Sequence, residues 1–128
     1  MMTTPDFTGV TQLLNRYFDG LYLGDTKILG TVFHENAQYV CATEDQLVLH
    51  DMAHYFPIVD KRPSPASKGE ARQDVIQSIQ FAGSKTAFAH VNCAIGEKYF
   101  TDFLTLILTE NGWRIISKVF HYDLKPTA

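Results

Sequence analysis

Cysteine is scarce: Cys41 and Cys93 are the only two in the chain, and their separation fits neither a disulfide framework nor a zinc-ligand spacing. No structural metal is expected, and a reducing, cytoplasmic compartment suits the pair better than a secreted one. Positive charge is also short. Eleven Lys and Arg against fourteen Asp and Glu leave a net charge of −3, without the basic surface that nucleic acid demands. Long apolar runs are missing too. None approaches the ~20 residues of a membrane-spanning helix, and the start MMTTPDF lacks a charged segment followed by an apolar one. Neither nucleic acid nor membrane is an expected partner. With no internal repeat, residues 1–128 read as a single domain, long enough to bury about two-thirds of its unfolded surface.

What is present is a strong strand pattern. In TDFLTLILTENGWRIISKVFHYD, Thr101 to Asp123, two alternating runs rich in β-branched and aromatic residues flank Asn111-Gly112. That dipeptide is the strongest short hairpin signal, because both central residues of a type I′ turn need positive φ. The turn predicts Glu110 opposite Trp113, and counting outward places Leu106 opposite Ser117, Leu104 opposite Val119 and Asp102 opposite His121. One face is then apolar and turns polar only at its far end, where a carboxylate beside an imidazole resembles a pocket floor.

Upstream, Thr4-Pro5-Asp6 reads as N-cap, first-turn proline and early acid. Phe7, Val10, Leu14, Tyr17 and Leu21 recur at helical spacing until Gly24. Asp25 caps a second helix through Val32 and Phe33, ending near His34. Short strands over Ala37–Cys41 and Gln46–His50 follow, the first with Tyr39 and Cys41 on one side. Asp51 starts a third helix that Pro57 is expected to interrupt, since proline lacks the amide donor. Lys61 to Arg72, KRPSPASKGEAR, is the long loop, with four basic side chains; it reads as a solvated loop, or else as a lid or anion-steering rim. Gln73–Ala82 and Lys85–Ile95 flank Gly83-Ser84 as a further hairpin. It would add Ile76, Ser78, Ala89 and Val91 to the Leu104 face. The opposite face collects Phe88, Phe103, Ile107, Ile116 and Phe120, an apolar surface suited to a homodimer through the outer side of the sheet.

In this order, YFDGLYLGD (Tyr17 to Asp25), FHENA (Phe33 to Ala37), RPSPASKGEAR and the terminal hairpin resemble the nuclear-transport-factor-2-like superfamily. The likeness is strongest to its lumazine-binding branch, close to the SnoaL-like polyketide cyclases. The resemblance covers nearly the whole chain. It implies an α+β, cystatin-like fold: a cone-shaped barrel of strongly curved, mainly antiparallel sheet, with about three N-terminal helices enclosing a pocket, and commonly a homodimer. Ketosteroid isomerases of the same superfamily carry an oxyanion tyrosine seven residues before a Gly-Asp helix break, which falls on Tyr17 here, but their general-base aspartate falls on Cys41. The cyclases use an aspartate and a histidine on the long strands. Asp102 resembles the first, and register favours His121 over His90 for the second.

Tyr17 therefore reads either as a core tyrosine or as an oxyanion donor, with Asp102 and His121 as acid and base or as an ion pair closing the sheet end. Tyr17, Tyr39, Cys41, Asp102, Ser117 and His121 are the candidate ligand contacts. The expected function is binding of a flat, cyclic, apolar small molecule in the cone. A cofactor-free isomerase or cyclase using Asp102, His121 and Tyr17 is the first alternative, and a dimerisation module the second. No cofactor is called for.

Overall fold

The computed structural model describes residues 5–125. Helix α1 (Phe7–Leu23) starts at Asp6, whose carboxylate accepts from the Gly9 amide at 3.0 Å and from the Trp113 indole at 2.9 Å. One side chain thus caps the helix and fastens it to the sheet. Thr4, expected in the capping role, lies outside the described residues. At the other end Gly24 takes the left-handed conformation, φ 63°, and its amide satisfies the carbonyls of Gly20 and Leu21.

Asp25 caps helix α2 (Thr26–Gly30) as expected, but the helix is shorter than its apolar spacing implies. Phe33 instead opens strand β1 (Phe33–Cys41), where it lies beside Ile115. Strand β2 (Val48–His50) follows, and helix α3 (Met52–Lys61) runs through Pro57 rather than stopping there. Proline removes a single amide donor, and its would-be acceptor, the Ala53 carbonyl, belongs to an exposed residue that water can serve. The long loop holds one tight turn at Ala66–Lys68. It is tied down by the Tyr22 hydroxyl on the Glu70 carbonyl at 2.6 Å, by the Glu70 carboxylate on the Gly96 amide at 3.0 Å, and by Arg72 on Asp19 at 2.8 Å. Strands β3 (Val75–Ala82), β4 (Thr86–Ile95), β5 (Lys98–Thr109) and β6 (Gly112–Leu124) complete the chain.

The sheet order is β2-β1-β6-β5-β4-β3, antiparallel except for the parallel β1–β6 pair. This is the expected α+β arrangement, with the sheet left open at β2 and β3. The apolar stripe of α1 packs on it: Val10, Leu14, Tyr17 and Leu21 are buried in one cluster with Ala89, Val91, Leu104 and Ile115. Each fully buried Leu or Val contributes about 1.5–3 kcal/mol of transfer free energy.

Three local irregularities decide which side chains share that core. The β5–β6 turn is not the type I′ pair. Among the described residues no non-glycine residue has positive φ, and in this turn only Gly112 does, φ 98°. Glu110 and Asn111 span the turn and Thr109 pairs with Gly112, two positions away from the expected register, so the faces are unchanged as far as Leu106 and Ile115. Ile116 then bulges: the pairing steps from Leu106–Ile115 to Thr105–Ser117, and beyond it every β6 side chain changes sides. Asp102 lies opposite Phe120 rather than His121, and Leu104 opposite Lys118 rather than Val119. In the β3–β4 hairpin the loop spans three residues, Ala82 pairing with Thr86, until a bulge at Gln77 restores the expected pairing of Ile76 with Val91. Ile79 and Phe81 therefore face the core, and Ser78, expected there, does not. The β4–β5 pairing agrees with expectation, with Val91 opposite Asp102.

Candidate functional site

Past the bulge, β6 turns Lys118 into the core, where the residue keeps 4% of its surface exposed. The Tyr17 hydroxyl donates to Asp102 Oδ2 at 2.6 Å, and Lys118 Nζ lies 3.9 Å from the same oxygen, an ion pair too long for a hydrogen bond. Five aromatic rings surround the ammonium, with centroids at 4.9 Å (Phe120), 5.2 Å (Tyr17), 5.2 Å (Tyr39), 5.9 Å (Tyr55) and 6.0 Å (Phe100). Cation–π attraction of this kind strengthens when water is excluded.

The protonation states follow from burial and from Asp102. Burial first, and the Asp102 charge second, push the Tyr17 phenol well above its ordinary 10.0. Burial pulls the Lys118 ammonium down, but the Asp102 carboxylate, first among its opposing neighbours, leaves the group above its ordinary 10.5. Burial also pushes the Tyr39 phenol up to about 12, against the pull of Lys118, and the Cys93 thiol up to about 12. Around neutrality the cluster thus holds two neutral phenols, a neutral thiol and a charged amine. A charged amine is no nucleophile.

A cavity of about 320 Å³ opens beside this cluster, between α3 and the ends of β1, β5 and β6. Tyr39, Phe100, Phe120 and Tyr122 supply aromatic walls, Cys41 faces inward from β1, and Arg62 comes from the residue that closes α3. Its volume is at the small end of the roughly 300–1,000 Å³ typical of small-molecule sites. Tyr39 is braced from behind by Tyr55, ring centroids 4.2 Å apart and planes 24° from parallel. A second, smaller void of about 10 Å³ shares Tyr39, Arg62, Ile95 and Phe100 with the cavity and adds Tyr55 and Lys118. Tyr17 and Asp102 line neither space.

Residues 5–121 match the family described as "putative lumazine-binding". The chain belongs to that family. Its fold recurs in an NTF-2 like protein of unknown function from Silicibacter pomeroyi, 27% identical, with a TM-score of 0.79 over 91% of this chain and 94% of the other. It recurs also in an NTF2-like protein of unknown function from Shewanella baltica, 23% identical, TM-score 0.82, over 95% of each chain. A structure described as a putative ketosteroid isomerase from Kribbella flavida is 14% identical, TM-score 0.59, over 98% of this chain and 86% of that one. No curated protein matches.

Within this lumazine-binding family member the candidate residues divide. Tyr17 and Asp102 meet each other in the core; Tyr39 and Cys41 line the cavity. His121 and Ser117 lie elsewhere. The Ile116 bulge sends both to the outer face, where Ser117 pairs with Thr105 and His121 lies 2.8 Å from Thr43 Oγ1 and 3.0 Å from Asp123. The Asp102–His121 pair is therefore absent. Lys118, Arg62 and Tyr55 were not foreseen as site residues. Lys118 carries no signal, because a bulge at an Ile-Ile step looks like uninterrupted strand. Arg62 did carry one, as the first arginine after an apolar helical stretch in a loop already marked as a basic rim.

Proposed function

We propose that the protein is a binding module for a flat, cyclic small molecule held in the 320 Å³ cavity, and that it catalyses no acid–base reaction through Asp102. The observation that carries this reading is the wall itself: Tyr39, Phe100, Phe120 and Tyr122 offer ring faces and edges around an open space. Lumazine, the molecule in the family's name, has the flat shape such walls accept. The acid–base alternative loses its support, since His121 is on the outer face, the Tyr17 hydroxyl is spent on Asp102, and neither Tyr17 nor Asp102 borders the cavity. Isothermal titration with lumazine and with 2-naphthamide tests the reading. At least one is expected to bind with micromolar to millimolar affinity and to lose binding in Val48→Trp, which fills the cavity from half-buried β2. Binding that survives Val48→Trp unchanged would place the ligand elsewhere.

The protein would work as a homodimer in the cytoplasm, a compartment that suits its two free, buried thiols. The surface for the dimer is the outer sheet face, with Phe88 37%, Phe103 46% and Val119 44% exposed and the two Phe rings 5.7 Å apart. Phe120, first assigned to this face, is in the core, and Val119 takes its place. Light scattering at tens of micromolar should give twice the chain mass of 14.5 kDa, and Phe103→Asp should halve it. A monomeric wild type would dismiss the dimer.

A further inference from the structure

The cavity has an electrically distinct end. Its inner void is bordered by Tyr55, Arg62 and Lys118, and two of these carry buried polar atoms without a hydrogen-bond partner, the Tyr55 hydroxyl and Arg62 Nη2. A void of about 10 Å³ is at the lower limit for one water-sized atom. The charges nearby do not cancel. Lys118 has Asp102 at 3.9 Å, whereas among the described residues no carboxylate lies within ion-pair distance of Arg62. Glu44 is the acidic side chain of the outer cavity wall, offset there by Lys98. An unpaired guanidinium, an unpartnered phenol and an ammonium at the end of an aromatic slot make a seat for an oxyanion.

We propose that the ligand class is a planar aromatic or enolic anion, its ring lying against the wall formed by Tyr39, Phe100 and Phe120 and one oxygen of its carboxylate or enolate in the void against Tyr55, Arg62 and Lys118. This rests on the binding reading above and narrows it. Arg62 supplies the uncompensated charge, Tyr55 donates a hydrogen bond it otherwise leaves unmade, and Lys118 adds a field offset in part by Asp102 at 3.9 Å. The basic loop after α3 thus contributes one side chain to the site, while Arg72, paired with Asp19 and Asp74, serves to hold the loop.

The test compares two probes of nearly equal shape, 2-naphthoate and 2-naphthamide, by isothermal titration. The wild type should bind the carboxylate about tenfold tighter, the value of roughly one net charge-assisted hydrogen bond. In Arg62→Met the preference should vanish, the affinity for 2-naphthoate falling by more than that for 2-naphthamide; Arg62→Lys should retain part of the preference. Equal affinity of the wild type for both probes overturns the anion assignment and leaves the binding module standing. Failure of both probes to bind at millimolar concentration removes the two together. A carboxylate preference that persists in Arg62→Met overturns the role of Arg62 and with it the assignment. The wild-type comparison needs no variant to fold, so an unstable Arg62→Met does not blunt it.

Discussion

Lys118→Met should lower the unfolding free energy by about 3–5 kcal/mol in urea denaturation, the cost of removing one partner from a buried ion pair. The methionine chain nearly reproduces the lysine stem, so packing against Tyr39 and Phe120 is kept and the loss is electrostatic. What remains is the Asp102 carboxylate, fully buried, its Oδ1 already without a partner and its Oδ2 held by Tyr17 alone. Asp102→Asn should also destabilise, by stranding the ammonium. Combining the two removes both charges together, so the double variant should be more stable than the summed losses imply, by about 1–3 kcal/mol. Strict additivity would mean that the two groups do not interact across their 3.9 Å.

Tyr17→Phe should cost roughly 1.5–3 kcal/mol, the range for a buried hydrogen bond to a charged acceptor. The ring stays in place among its neighbours, and only the 2.6 Å bond to Asp102 is lost. The same residue shapes the alkaline limb of stability. Tyr17 and Lys118 both hold their protons more tightly folded than their ordinary values of 10.0 and 10.5. Their stabilising contributions are therefore complete below about pH 10 and are lost as pH rises beyond it, at about 1.4 kcal/mol per pH unit for each group that releases its proton only on unfolding. Tyr17→Phe removes one of the two, so its stability should fall less steeply above pH 10 than that of the wild type. Parallel slopes would mean that Tyr17 ionises alike in both states.

These two residues also mark how much was legible in the sequence. Tyr17 stood at the centre of an unbroken helical stripe, so its inward direction, like that of Asp102 on the regular β4–β5 pair, followed from period; that the two would bond each other in the core instead of lining the cavity did not. The turn was misread by two positions without consequence, since a shift of two preserves the faces. Ile116 had the larger effect. A single extra residue reversed β6, removed His121 and Ser117 from the site and installed Lys118, whose charge had marked it as a surface residue. Nothing in ILTENGWRIISKVF favours that bulge over an unbroken ladder; it is selected by tertiary packing, where Phe120 gains burial and Lys118 gains Asp102. Arg62 was visible only as part of a charged loop, since which of four basic side chains turns inward depends on where α3 ends.

The most direct measurement is a nitrogen–proton NMR titration of the protein with 2-naphthamide, a neutral probe whose binding tests the cavity without requiring an anion seat. Amides of Tyr39, Cys41, Phe100, Phe120 and Tyr122, which surround the cavity, should shift together and saturate, while those of Phe88 and Phe103 on the outer face stay in place. Shifts confined to the outer face, or none at millimolar probe, would contradict a ligand-binding cavity.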